Sequence, residues 1–134
     1  MSTRISGAAA IEAWDEKPYR QIDDRRKLTQ ASIRLRYSGD LEGESTSETL
    51  MCYAADDAAT FMGFEHFTGR IGERSGTFVI RETGTYDGTE ARSEGEIVEG
   101  SGTGDFAGLR GRHSSVSTHA DYPNKPFTLE YDLS

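Results

Sequence analysis

Thr29, Ala31, Ile33, Leu35 and Tyr37 fall on every second residue, with Gln30, Ser32, Arg34, Arg36 and Ser38 between them. A period of two puts the first set on one face of a strand and the second on the other, so this stretch buries one side only. Comparable segments run over Ser6 to Asp15, Gly43 to Ala54, Phe61 to Ile71, Gly76 to Tyr86, Thr89 to Glu99, His113 to Ala120 and Pro126 to Leu133, separated by turn-rich stretches. Helical periodicity is scarce. Eight one-sided strands at regular spacing predict an all-β, eight-stranded antiparallel barrel, because closure removes the edges an open sheet would expose. A sandwich is the alternative. One helical turn is expected near 105–109, with Phe106 and Leu109 plugging one end of the barrel and leaving the opposite end as its mouth.

The 134 residues suit a single domain over 1–134, large enough for one core without a metal or disulfides. With 34% hydrophobic residues and 15 glycines, that core is expected to be narrow and the turns frequent. A net charge of -8 opposes nucleic-acid phosphates and anionic membranes, and Arg25, Arg26 and Lys27 read as a solvated strand entry. Cys52 is the only cysteine, Met1 to Gly7 carries no apolar signal region, and no stretch reaches the roughly 18 apolar residues of a spanning helix. The expected compartment is the cytoplasm.

The three central strands allow a register. A turn at Gly72-Glu73-Arg74-Ser75 sets Ile71 against Gly76 and Glu65 directly against Glu82, and a two-residue Asp87-Gly88 turn sets Tyr86 opposite Thr89. Like charges facing at a Cβ separation of about 4.5 to 5.5 Å need a proton, a cation or a functional reason. Inside a barrel lined by Phe61, Phe67, Phe78, Ile80 and Tyr86, desolvation and repulsion would raise at least one carboxyl, making Glu65 and Glu82 the candidate catalytic pair. Tyr37 or Tyr53 would supply a further hydrogen bond. The alternative leaves one carboxylate hydrated at the mouth or diverted by a bulge near Gly63 or Gly84.

Other constellations carry less. His66, Arg81 and Glu94 align on the outer face in this register, where such rows stabilise a sheet modestly. His113 and His119 share a strand face, but no cysteine or third histidine completes a metal-ligand pattern, so neither metal nor cofactor is expected. Gly100 to Gly104 lacks the Lys-Ser/Thr end of a phosphate-binding loop and reads as a bend. Trp14 and Tyr19 are placed to gate a pocket or cover its edge.

Trp14, Glu16, Pro18 and Tyr19, then Tyr37-Ser38-Gly39-Asp40-Leu41-Glu42-Gly43, open a series of motifs. Gly63-Phe64-Glu65-His66-Phe67-Thr68-Gly69, Gly76-Thr77-Phe78-Val79, Gly100 to Gly104 and Leu109-Arg110-Gly111 follow. From Trp14 to Tyr131 the chain thus resembles the bacterial domain of unknown function 3224 family, whose members adopt an allene oxide cyclase-like barrel. The resemblance implies eight antiparallel strands, a cavity of the kind in which plant cyclases and dirigent proteins hold small apolar or phenolic molecules, and association as a homo-oligomer. It carries over no catalytic residue. The leading expectation is a barrel that binds a small apolar or phenolic molecule, with isomerase or cyclase activity through Glu65 and Glu82. The alternative is a noncatalytic oligomerisation or protein-interaction module using the apolar set Met62, Phe64, Val79 and Val98 on the outer face.

Overall fold

The computed structural model describes residues 2–133. Its strands are β1 (Thr3–Gln21), β2 (Lys27–Gly39), β3 (Glu42–Ala55), β4 (Ala58–Ile71), β5 (Arg74–Tyr86), β6 (Glu90–Ile97), β7 (Thr103–Gly104), β8 (Leu109–Thr118) and β9 (Asn124–Leu133). Eight of them close in the circuit β1-β2-β3-β4-β5-β6-β8-β9 and back to β1, with every pairing antiparallel, while the two-residue β7 only patches the start of β5. No helix among the described residues is long and apolar enough to cross a membrane.

Alternation is the physical basis of the closure. On β2, Thr29, Ala31, Ile33, Leu35 and Tyr37 are buried while Arg34 and Arg36 stay outside. Arg36 there reaches Glu12 on one neighbouring strand at 3.1 Å and Glu44 on the other at 2.6 Å. The strands are longer than their sequence signals. β1 continues past its pairing with β9, which ends at Ala10, and stays on β2 as far as Gln21. Bulges after Ile11 and Pro18 bend this extension into a rim.

Both hairpin registers differ from the expected ones by two residues. Gly72 takes φ +60°, so Gly72-Glu73 alone makes the first turn and Ile71 pairs with Arg74. In the second, the Asp87 carboxylate accepts from the backbone N–H groups of Thr89 and Glu90, both at 2.9 Å, and widens the turn so that Tyr86 pairs with Ala91. Glu65 therefore faces Ile80 and Ser47, while Glu82 faces Gly63 and Gly95. The two acids are diagonal neighbours, not a facing pair. A shift of two leaves every side chain on its expected face, which is why both remain inside.

One end of the barrel is stoppered. Phe106 and Leu109 are buried, and Tyr37, Phe67, Phe78 and Phe106 form a chain of rings with centroids 5.4, 4.9 and 5.5 Å apart. Asp105 holds the stopper to β5, its N–H donating to the Ser75 carbonyl at 2.8 Å and its carboxylate accepting from the Ser75 N–H at 3.0 Å. The expected helical turn at 105–109 is instead a run of tight turns between Gly104 at φ +61° and Gly108 at φ +86°, conformations that no helix continues. Phe67 lies along its strand over Gly69, where an added Cβ would come within 2.6 Å of Phe67 Cζ and 2.0 Å of the Glu42 carbonyl. Only glycine allows the strands to approach so closely there.

Candidate functional site

The opposite end opens into a cavity of about 360 Å³. Its walls come from β1 to β6, among them Ile11, Ile33, Leu35, Met51, Phe61 and Tyr86, and from β8, β9 and the segment between them; its floor comes from Glu65, Glu82 and Ser93. Of the side chains expected to line it, Tyr53, Phe61 and Tyr86 do. Phe67, Phe78 and Ile80 do not: they lie below the floor as core, 0%, 0% and 1% exposed, because the stopper fills that end. Tyr37 is also below the floor, where its ring packs edge-on to Phe67 and Phe127.

Glu65 and Glu82 are 1% and 6% exposed, yet their surroundings differ. Oε2 of Glu65 accepts hydrogen bonds from the Tyr37 hydroxyl and, at 2.7 Å, from Ser45 Oγ. Burial, then the adjacent Glu65, pushes the Tyr37 hydroxyl well above the ordinary phenol range, so it stays a donor. Neither oxygen of Glu82 has a hydrogen-bond donor among the described residues. Burial raises its carboxyl above the ordinary 4.5; Lys125 opposes the rise and Glu65 adds to it.

Behind Glu82 lies His113, stacked on Phe127 with centroids 5.6 Å apart and its Nδ1 at 3.7 Å from Glu82 Oε2. Burial lowers the imidazole to about 4, against a small upward pull from Glu65, so the ring is neutral and this contact is not an ion pair. Glu82 Oε2, Ser93 Oγ and both ring nitrogens of His113 are buried without a partner among the described residues. Such groups are uncommon in native interiors, and here they cluster around Glu82.

The rim has its own network. Glu16 accepts from Thr29 Oγ1 at 2.7 Å, Tyr53 Oη at 2.6 Å and Trp14 Nε1 at 3.0 Å. Burial alone would raise this carboxyl, but the three donors together outweigh it and hold it below 4.5. Burial and Glu16 keep the Tyr53 phenol protonated. Across the opening, His119 Nε2 lies 3.2 Å from Tyr86 Oη and 3.0 Å from the Gly88 carbonyl. Trp14 stands on the rim at 47% exposure, whereas Tyr19 is exposed and does not line the cavity.

Several site residues escaped the sequence. The sequence places His113 and His119 on one strand face without showing which face is buried; β8 begins at Leu109, and its alternation through Gly111, His113 and Ser115 turns His113 inward. Ser93, which the expected register sets opposite Glu82, pairs with Gly84 instead, and Lys125 lies just ahead of the strand expected over Pro126 to Leu133. The expected row of His66, Arg81 and Glu94 dissolves with the register: His66 faces Val79, Glu94 faces Thr83, and Arg81 meets Glu96 at 3.4 Å. No group of three or more His, Cys, Asp or Glu among the described residues is arranged to hold a metal. On the outer face Met62 and Phe64 are exposed beside Leu50, but Val79 and Val98 are half-buried, because the Val98 N–H bonds to the Val79 carbonyl at 2.8 Å and folds the chain over it.

Fold and site together define a closed eight-stranded antiparallel barrel, stoppered at one end, with an apolar-walled cavity on an acidic floor. The chain belongs to the DUF3224 family, described as a protein of unknown function, whose family model matches residues 5–131. A protein of unknown function from the same family, from Shewanella oneidensis MR-1 and solved at 1.84 Å, has a similar fold. Its TM-score is 0.77 at 21% sequence identity, covering 100% of this chain and 99% of that one. No curated protein matches the chain.

Proposed function

We propose that the barrel binds a small molecule with an apolar or phenolic body, its polar end seated on Glu65 and Glu82, and that it acts as an isomerase or cyclase by acid-base assistance. The observation that carries this reading is a mouth lined by aromatic and aliphatic side chains leading to buried polar groups without partners. The barrel form, read as allene oxide cyclase-like, is in keeping with a ligand of this class. The setting proposed is the cytoplasm, with no cofactor and no nucleic-acid or membrane partner.

2-Naphthol and naphthalene separate the two halves of the idea. At about a hundred times its Kd, 2-naphthol should stabilise the protein by about 2.7 kcal/mol, read as a rise in Tm. Naphthalene, unable to use the floor, should do less, and Glu65→Gln should bring the two ligands closer together. If neither ligand moves Tm, or if both move it equally in wild type and variant, the reading fails.

A second reading rests on Leu50, Met62 and Phe64, which are 48%, 57% and 55% exposed and adjacent on β3 and β4, where Leu50 pairs with Met62. This patch would seat another copy of the chain in a homo-oligomer. Phe64→Glu should then lower the mass measured in solution, and an unchanged mass removes this role for the patch.

A further inference from the structure

We propose that Glu82, diagonal to Ser93 and backed by His113, is a proton shuttle for ketones or enones that carry a C–H bond next to the carbonyl. This rests on the reading of the cavity as a small-molecule site and divides the labour that reading leaves to both carboxyls. Glu65 is tied down, since Tyr37 and Ser45 both donate to its Oε2. Glu82 is not. Its Oε2 is turned to His113, so the carboxyl meets a ligand through Oε1, and Ser93 lines the same cavity with a hydroxyl that has no partner among the described residues. Ser93 pairs with Gly84 and is one inward position from Gly95, which pairs with Glu82, so base and hydroxyl are diagonal neighbours on adjacent strands.

A free carboxyl and a free hydroxyl on one floor match the needs of enolisation. The C–H bond breaks and its proton goes to Glu82 Oε1; the electron pair forms the C=C bond while the carbonyl π pair moves to oxygen, which accepts a hydrogen bond from Ser93 Oγ–H. Glu82 then returns the proton to the same carbon or, in an enone, to the γ carbon. Nothing is oxidised or reduced, and the carboxylate is regenerated. The apolar walls select an uncharged body, and an anionic substrate would meet Glu65 and Glu82 together.

His113 is a positioning residue. Neutral, with its proton on Nδ1, it needs to close by only a few tenths of an ångström from 3.7 Å to donate to Glu82 Oε2. The groups that face Glu82 are Glu65 from β4, the Tyr37 hydroxyl from β2, His113 from β8 and Lys125 from β9; β6 contributes only the uncharged Ser93 and Gly95. Because burial lifts Glu82, the rate should rise with pH through a midpoint above 4.5.

Proton NMR of 1-tetralone in D₂O tests this. The wild-type protein should exchange the C2 protons about tenfold or more faster than buffer. Glu82→Gln should abolish that acceleration while 1-tetralone still perturbs the protein's spectrum, and Ser93→Ala should slow exchange with binding retained. His113→Phe, which keeps the stacking but removes the donor, should move the pH midpoint upward by about half a unit or more. If 1-tetralone binds but exchanges at the buffer rate, or if Glu82→Gln exchanges as fast as wild type, the shuttle is overturned and the binding reading stands. If 1-tetralone, 2-decalone and 4-phenyl-2-butanone all leave the protein's spectrum unchanged, both fall.

Discussion

Between pH 7 and pH 4 the protein is expected to lose about 3 kcal/mol of folding stability through His113 alone, and His113→Phe is expected to remove that loss. The imidazole falls from 6.5 in the unfolded chain to about 4 in the folded one, chiefly because burial disfavours its charge. A group depressed by folding contributes its full stability above its unfolded value. That contribution fades as falling pH protonates the unfolded chain first, and it is gone below the folded value. Glu82 works in the opposite sense, because its raised carboxyl keeps its proton in the folded state and favours folding as pH drops. Glu82→Gln should therefore steepen the acid loss. Urea denaturation of wild type and His113→Phe at pH 4, 5, 6 and 7 reads the difference directly. Parallel stability curves for the two proteins would show that His113 is not held neutral in the interior.

The second large effect is expected at the stopper. Phe67→Ala should destabilise the protein by about 3 to 5 kcal/mol, the range for truncating a fully buried phenylalanine. Phe67 is the second ring in the chain from Tyr37 to Phe106, and it lies over the glycines that let β3 and β4 converge. Neither neighbour can follow it inward: Tyr37 is bonded to Glu65, and Phe78 is set between Phe67 and Phe106. The hole should therefore persist, and with it the cavity part of the cost. A loss below about 1 kcal/mol in the unfolding free energy from urea denaturation would falsify this account of the packing.

How far the residues themselves disclosed this molecule differs from strand to strand. On β2 the alternation of Thr29 to Tyr37 is clean, and the burial follows it residue by residue. The hairpins were harder, because turn length depends on local detail that no periodicity reports: a positive φ at Gly72, and an Asp87 side chain that caps its own turn. The face of Glu65 and Glu82 was legible because parity survives a shift of two, while their relation to each other was not. The inward turn of His113 is not legible, because Gly111, two residues earlier, carries no apolar side chain to mark the inner face of β8. Alternation puts Phe67, Phe78 and Ile80 inside but cannot separate core from cavity wall, since nothing local to those strands reveals that Phe106 arrives from a distant loop to fill their end.

A barrel closed at one end by Phe106 and Leu109 is a cul-de-sac. Whatever enters past Trp14 and Tyr53 must leave by the same door, so an incoming molecule cannot displace a resident one from behind. If the barrel binds a small molecule as proposed, its occupancy would be sequential, each molecule leaving before the next enters through the one mouth.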